Sequence, residues 1–179
     1  MNTLPLIYAP NETLKTRAEF VQVVNDEIRS LVDEMFNSIY VEQAVGLGAN
    51  MVGILKRIAV VDMQPKGTKM PFVFINPEIT WRSTEMQTFR EGSLCFPGIT
   101  ADITRPKAIE VSFHDYDGNK QELEADGFFA TVIQHECDYL DGKVFLDYLS
   151  KMKRGLLMTK MKKFMRLHPP HVHSASCKH

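Results

Sequence analysis

Apolar residues recur at helical spacing in the segment 24–40. They lie at intervals of i, i+3, i+4, i+7, i+8 and i+11, which places them on one face of an α-helix. These positions are Ile28, Leu31, Val32, Met35, Phe36 and Ile39. Asn25 precedes the pattern and acidic residues follow it, as at the start of a capped helix. The pattern therefore predicts an amphipathic helix that begins after Asn25.

Shorter apolar runs separated by turn residues follow this helix. Runs rich in β-branched and aromatic residues predict strands at 57–62, 72–75 and 108–113. The segment 115–119 (DYDGN) predicts a hairpin turn before a further strand at 122–125. The glycine-rich stretch 45–50 (VGLGAN) predicts a turn.

A second helix is predicted over 128–140. We find neither an internal repeat nor a linker, so the chain reads as one α+β domain over residues 1–167, with small sheets around a central helix. The segment 151–166 predicts a C-terminal basic helix, because it holds seven basic residues, no acidic residue and interleaved apolar residues. Residues 168–179 are polar and rich in helix breakers, which predicts a disordered tail. Its metal-binding side chains could hold an adventitious ion; they are His171, His173, Cys177 and His179.

Composition narrows the class of protein. A hydrophobic fraction of 44% and a charged fraction of 24% are ordinary for a globular domain, and a net charge of −1 gives no overall signal for nucleic acid or membrane. There is neither an apolar run of the roughly 18 residues that a membrane span needs nor a secretion signal. Three cysteines at unrelated spacings argue against a disulfide framework. We therefore expect a cytoplasmic protein without a membrane partner.

Candidate chemistry is concentrated in the sequence QHECDY, residues 134–139. In the HExxH pattern, two histidines at i and i+4 share a helix face and bind one divalent metal ion, and the glutamate acts as general base on metal-bound water. Here His135 and Glu136 are present, but Tyr139 stands at i+4. The pattern is thus a metalloenzyme helix that lacks one ligand.

Three segments carry a resemblance to a known family. Residues 46–53 (GLGANMVG), 91–98 (EGSLCFPG) and 134–142 (QHECDYLDG) resemble, in order and spacing, the three signature motifs of the peptide deformylases. The resemblance covers roughly residues 5–165. It implies an α+β fold with small antiparallel sheets around a central helix that carries the HExxH-derived motif. It also implies removal of the N-formyl group from initiator methionine, with Fe²⁺ or another divalent ion held by one cysteine and two histidines.

The resemblance assigns roles residue by residue. His135 is the retained metal ligand and Glu136 the catalytic carboxylate, while Ser93 and Tyr139 stand at the positions of the lost ligands. The backbone N–H of Leu94 is the implied oxyanion donor. Met51 occupies the position of a glutamine that supplies the second donor. The implied substrate-binding residues are Gly46, Gly48, Glu91 and Gly92.

These replacements predict an inactive or weakly active protein. A serine hydroxyl is a much poorer ligand than a thiolate, and a tyrosine with a reference pKa of about 10 must lose its proton to bind as phenolate. We therefore expect no bound cofactor, with Fe²⁺ or Zn²⁺ if the site is active. Two alternatives stay open. One is an active deformylase whose metal is held by Cys95, His135 and Tyr139, because Cys95 would point the same way as Ser93 in an extended segment. The other is metal-free hydrolysis of a small acyl group by Glu136.

Simpler roles are also expected for the same residues. His135 and Glu136 could persist as a hydrogen-bonded polar pair, and Tyr139 could fill the pocket and bond Glu136. Cys137, two residues from His135, should face the core. As partners, the resemblance suggests N-terminal peptides of nascent chains, bound as an added strand, and the ribosome, contacted through the basic helix 151–166.

Overall fold

The computed structural model describes residues 2–169 and has an α+β architecture, as predicted. The helices are α1 (Asp26–Val41), α2 (Gly127–Leu140) and α3 (Lys151–Leu167). The strands are β1 (Gly46–Gly48), β2 (Ile58–Asp62), β3 (Pro71–Arg82), β4 (Met86–Glu91), β5 (Ala101–Pro106), β6 (Ala108–His114) and β7 (Lys120–Asp126). Short 3-10 helices span Glu12–Lys15, Ala49–Val52, Pro65–Gly67 and Phe145–Tyr148.

The strands form two antiparallel sheets, and both contact α2. The larger sheet has the order β1-β2-β3-β6-β7, and the smaller one pairs β4 with β5. One apolar cluster joins α2 to the larger sheet through residues such as Val61, Phe74 and Ile133. A second cluster packs α1 against the rest of the chain through residues such as Val32 and Met35. This arrangement confirms a central helix that contacts both small sheets.

Both long helices predicted from periodicity are present. Asn25 caps α1 by accepting a 3.1 Å hydrogen bond from the Ile28 N–H. The predicted apolar face of α1 is buried, except that Leu31 and Phe36 are only half-buried. In α2, every residue from 130 to 137 is buried, and Cys137 packs in the core as predicted. The 115–119 segment forms the β6–β7 turn, where the Asp115 N–H bonds the Asn119 carbonyl at 3.0 Å.

Strand predictions were less complete. The predicted turn at 45–50 is wrong for Gly46–Gly48, which pairs with β2 because tertiary contacts outweigh the local glycine preference. β3 runs seven residues beyond the predicted end at Ile75, through irregular pairing with β6. β4 and β5 were not predicted. On β5 the inward positions are Ala101, Ile103 and the charged Arg105, so its apolar alternation is broken.

The C-terminal basic helix is present as α3, one residue longer than predicted. Residues 170–179, which contain most of the predicted disordered tail and its four metal-binding side chains, lie outside the described residues. Within residues 2–169, none of the helices is both long and apolar enough to cross a membrane.

Candidate active site

A cavity of about 300 Å³ opens between α2, β1 and the segment that follows β4. We call it the Glu136 cavity. Its apolar wall includes Val45, Leu94, Phe128 and Val132, and its polar wall includes Ser93, His135 and Glu136. Gly46, Met51, Glu91 and Gly92 also line it, whereas Gly48 and Tyr139 do not. The fold therefore brings nearly all of the predicted site residues to one cavity.

His135 is held in one orientation by a buried charge network. Its Nδ1 lies 2.8 Å from Glu91 Oε2, and the Arg105 guanidinium bonds both oxygens of Glu91 at 2.6 and 2.9 Å. Burial alone would raise the pKa of Glu91, but the hydrogen bonds from His135 and Arg105 outweigh it and hold that pKa below its ordinary value. Since Glu91 is ionised, Nδ1–H is the donor of this bond, which leaves Nε2 outside the network.

The network continues beyond the predicted residues. Arg105 Nη1 lies 2.7 Å from Asp138 Oδ2 and 3.0 Å from the Tyr148 hydroxyl, which itself donates to Asp138 at 2.8 Å. Sequence reasoning did not assign a role to any of these three side chains. A signal was available in Arg105, since a charged residue at an inward strand position requires buried partners.

Ser93 and Tyr139, which the resemblance places at the positions of two lost ligands, contact each other. Tyr139, with no exposed surface, donates a 2.6 Å hydrogen bond to Ser93 Oγ. Ser93 Oγ also accepts from the Cys95 N–H at 3.2 Å. Burial raises the pKa of Tyr139 well above its ordinary value. The expected bond from Tyr139 to Glu136 is wrong, because the ring reaches Ser93 instead.

Cys95 does not share the direction of Ser93. The chain turns here, with the Phe96 N–H bonding the Ser93 carbonyl at 3.0 Å, so the expectation based on an extended segment is wrong. Cys95 Sγ lies 3.8 Å from the Met51 carbonyl oxygen and is fully buried. Burial raises the pKa of its thiol to about 12. The side chain is therefore held as a protonated thiol that faces the backbone of the 3-10 helix Ala49–Val52.

Met51 occupies the cavity wall as a buried apolar side chain. It is 2% exposed, and its Sδ accepts a 3.3 Å contact from the Gly48 N–H. A thioether has no N–H to donate. This position therefore provides no side-chain donor toward a carbonyl oxygen in the cavity. The expected backbone donor, Leu94, lies on the same wall.

Burial dominates the surroundings of Glu136, although the Gly48 N–H and the nearby Arg105 charge favour its ionised form. Glu136 is 4% exposed, and its Oε2 has no hydrogen-bond partner among residues 2–169. The expected pair between His135 and Glu136 is wrong, since His135 bonds Glu91 instead. Burial raises the pKa of Glu136 to about 7. Close approach of β1 is possible because residue 46 is glycine: a Cβ there would lie 2.6 Å from Glu136 Oε1.

The side chains of this cavity do not fit a metal ion bound in the expected way. Within the described part of the chain, there is no group of three His, Cys, Asp or Glu side chains that could hold an ion. At the candidate centre, His135 keeps a free ring nitrogen, but Ser93 and Tyr139 are neutral hydroxyls bonded to each other. An imidazole without thiolate or second imidazole is a poor site for a divalent ion of intermediate softness.

Comparisons with known proteins agree with the residue pattern. A family model described as polypeptide deformylase matches residues 3–155. A protein of Rickettsia conorii named peptide deformylase-like is 60% identical over 174 residues, covering 97% of this chain and 95% of that protein. A peptide deformylase of Rickettsia canadensis is 41% identical over 170 residues, covering 91% and 97%.

A solved structure shows the same fold. The crystal structure of peptide deformylase from Ehrlichia chaffeensis in complex with actinonin superposes with a TM-score of 0.87 at 40% sequence identity. The match covers 93% of this chain and 99% of that one.

Proposed function

Because the chain belongs to the polypeptide deformylase family, we propose that it binds peptide N termini in the Glu136 cavity and has lost efficient metal-dependent removal of the formyl group. The observation that carries the proposal is the 2.6 Å hydrogen bond from Tyr139 to Ser93. The bond joins the two positions at which the family has metal ligands. The two hydroxyl groups there are bonded to each other and are poor ligands for a metal ion.

Restoring a metal site would require several unfavourable changes at once. The Tyr139–Ser93 bond would have to break, and a buried phenol whose pKa is already raised would have to lose its proton. Without a metal ion, nothing lowers the pKa of water from about 15.7 to near 7. Met51 also lacks the amide donor of the family, and loss of one oxyanion donor typically costs about 10²–10³ in rate.

Several features of the cavity support retained peptide binding. His135, Glu91 and Arg105 remain locked together, and β1 still approaches α2 closely at Gly46. The cavity keeps an apolar wall that suits a methionine side chain. A relative from Ehrlichia chaffeensis was solved in complex with actinonin, so this fold accommodates a small ligand. These features support recognition of an N-terminal methionine followed by a short extended peptide.

Calorimetric titration of the full chain with methionyl tripeptides, in formylated and unformylated form, tests this proposal. Ala44→Trp should block the cavity at its lining and abolish binding, while Val41→Trp, three residues away on exposed helix surface, should leave binding intact. A wild-type chain that binds neither form would refute the proposal, and so would equal binding by both tryptophan variants.

The alternative function is active deformylation with an altered metal sphere of Cys95, His135 and Tyr139, holding Fe²⁺ or Zn²⁺. Retention of Glu136 beside the open cavity favours this alternative, but the buried thiol of Cys95 faces Met51 instead. Formate release from N-formyl-methionyl peptide, measured under anaerobic conditions with Fe²⁺ or Zn²⁺ supplied, separates the two. Turnover that requires the supplied metal ion and is abolished by Glu136→Gln would support a metal site formed by Cys95, His135 and Tyr139. Turnover unaffected by chelator would support the metal-free hydrolysis by Glu136.

A second binding function, docking on ribosomal RNA, is favoured by the surface of α3. Its seven cations include none that packs in the core, and most are exposed; they are Lys151, Lys153, Arg154, Lys160, Lys162, Lys163 and Arg166. Such a surface suits a phosphate backbone, and binding should weaken steeply with salt. Cosedimentation with ribosomes should be lost when the exposed lysines of α3 are changed to glutamine. A change of Lys56 and Lys120 to glutamine, outside α3, serves as the control.

Both cysteines in the described residues are free thiols, consistent with the cytoplasmic setting that ribosome binding requires.

A further inference from the structure

Charge is distributed unevenly between α3 and the rest of the chain. α3 holds seven basic residues and no acidic one, so removing its seven positive charges from the net charge of −1 leaves −8 on the other residues. Within residues 2–169, Arg154 pairs with Asp147, and none of the other six cations of α3 forms an ion pair. Most of the positive charge of α3 is therefore available to a partner outside its own chain.

The outward side of α3 combines apolar and basic residues. Met152, Leu156, Lys160 and Lys163 follow one another at intervals of four, four and three residues, which places them along one side of the helix. All four are exposed, whereas Met161, on the opposite side of the helix, is fully buried. We call these four residues the α3 stripe. A partner of the stripe needs acidic side chains next to an apolar one.

The face of the larger sheet that points away from the core has this complementary composition. Two neighbouring rows across β3, β6 and β7 carry four exposed glutamates and the single tryptophan of the chain; they are Glu78, Ser112 and Glu122 in one row and Trp81, Glu110 and Glu124 in the next. We call these two rows the Trp81 face. Trp81 is 48% exposed. The negative region ends at the row where Lys120 lies opposite His114.

The Trp81 face contains an unfavourable charge pair. Glu110 and Glu124 lie directly opposite each other on adjacent strands. The Cβ atoms of such a pair are about 4.5–5.5 Å apart, so two negative charges there repel and destabilise the sheet. None of the four glutamates of this face forms an ion pair within the described part of the chain. A cationic partner would relieve this repulsion.

We propose that copies of this chain associate head to tail, with the α3 stripe of one copy lying on the Trp81 face of the next. Lys160 and Lys163 supply positive charge to the glutamates, and the apolar part of the stripe covers Trp81. Because the two surfaces differ, each pair of chains keeps one free stripe and one free Trp81 face, to which further copies can add. The contact is independent of peptide binding in the Glu136 cavity, and it occupies cations that RNA would otherwise contact.

Sedimentation equilibrium of the full chain with a chelator present tests the association. Charges act over about 30 Å at 0.01 M salt but over only about 3 Å at 1 M. At low salt the average mass should therefore rise with concentration above the 20.4 kDa of one chain, and at high salt it should return to that value. Trp81 fluorescence should shift to shorter wavelength as the mass rises. A mass that stays at 20.4 kDa at low salt up to about 1 mM chain would overturn the proposal.

Two double variants identify the surfaces in contact. Glu110→Gln with Glu124→Gln removes charge from the Trp81 face, and Lys160→Gln with Lys163→Gln removes charge from the α3 stripe. Each double variant alone should remain a single chain at low salt. An equimolar mixture should form pairs of chains and nothing larger, because only one intact surface of each kind remains. Association of either variant alone, or a mixture of single chains, would contradict a contact between these two surfaces.

Glu12→Gln with Glu27→Gln is the matched control, because it removes the same charge from exposed positions outside the Trp81 face. This variant should associate as the wild type does. Loss of association in the control would show that net charge, rather than the Trp81 face, determines the mass, and the proposal would fail. The variant of Glu110 and Glu124 should resist urea at least as well as the wild type, since it removes the like-charge pair. Its failure to associate would then not reflect unfolding.

Discussion

Tyr139 donates a 2.6 Å hydrogen bond to Ser93, from α2 to the turn that follows β4. The two residues are 46 positions apart in the sequence. By the family resemblance, each stands where a metal ligand is expected, and each is a hydrogen-bond partner of the other. Replacement of Ser93 alone would therefore leave the buried Tyr139 hydroxyl unpaired.

Ser93→Ala should destabilise the fold more than Tyr139→Phe does. Without Ser93, the fully buried Tyr139 hydroxyl has no partner, which costs about 2 kcal/mol. Tyr139→Phe removes the donor, but Ser93 Oγ still accepts from the Cys95 N–H, so the expected loss is about 1 kcal/mol. Urea unfolding of both variants and of the double variant measures these values. Losses that simply add in the double variant would contradict a direct bond between the two side chains.

Restoration of the ligands should create a metal site and deformylase activity together. Ser93→Cys with Tyr139→His supplies a thiolate and a second imidazole at i+4 from His135, which completes three protein ligands. Adding Met51→Gln should raise the rate of formate release by a further factor of about 10² through a second oxyanion donor. Each single variant is a control and should bind no metal tightly. A triple variant that stays metal-free would show that the scaffold itself, and not only its ligands, has changed.

Arg105 should be among the most sensitive positions for stability. Its side chain is 2% exposed, and it bonds both Glu91 and Asp138. Arg105→Ala leaves two carboxylates without their cation and should cost about 3–5 kcal/mol in the free energy of unfolding. Arg90→Ala, which breaks the exposed pair with Asp102, should cost less than about 1 kcal/mol. Similar losses for the two variants would argue against a buried network behind His135.

Glu136 should make stability depend on pH in the direction opposite to an ion-paired carboxylate. Its pKa is raised by burial from an ordinary value of 4.5 to about 7. Below pH 4.5 the carboxyl is protonated in both folded and unfolded chains. Between 4.5 and 7 only the folded chain holds the proton, so stability falls as pH rises, and above 7 the full penalty of about 3 kcal/mol is present.

Comparison of Glu136→Gln with the wild type isolates this effect. The variant should gain stability relative to wild type as pH increases from 4.5 to 8, and the difference should stay constant outside that range. Glu91 provides the opposite case, because its pKa is held below 4.5 and its contribution is lost as pH falls. A Glu136→Gln difference that does not change between pH 4.5 and 8 would show that Glu136 is ionised in the folded chain throughout.

The sequence predicted the elements whose pattern is local. The apolar face of α1 and its Asn25 cap, the DYDGN turn and the basic helix α3 all depend on spacing within a few residues, and the structure confirms them. β1, β4 and β5 were missed because pairing across the chain, rather than local composition, makes them strands.

In the candidate site, too, some features could be predicted from the sequence and others depend on packing. Three motifs sufficed to predict that Ser93, His135 and Glu136 meet, because the family resemblance carries long-range geometry. The partners of individual side chains were not predictable, since Tyr139 and Cys95 turn according to packing. Their directions decide whether the cavity can hold metal. Sequence spacing alone is therefore compatible with a metal site formed by Cys95, His135 and Tyr139. The observed positions of Cys95 and Tyr139 disfavour that site.

The most direct test of a lost metal site is the bound-metal stoichiometry of the full chain, purified anaerobically. In that chain, His171, His173 and His179 are changed to asparagine and Cys177 to serine, so that the C-terminal side chains contribute no ligands. Elemental analysis for Fe, Zn and Ni should find close to zero ions per chain, and the triple variant of Ser93, Tyr139 and Met51 in the same background should hold close to one. Close to one ion per chain in the variant that keeps Ser93, Tyr139 and Met51 would contradict the account.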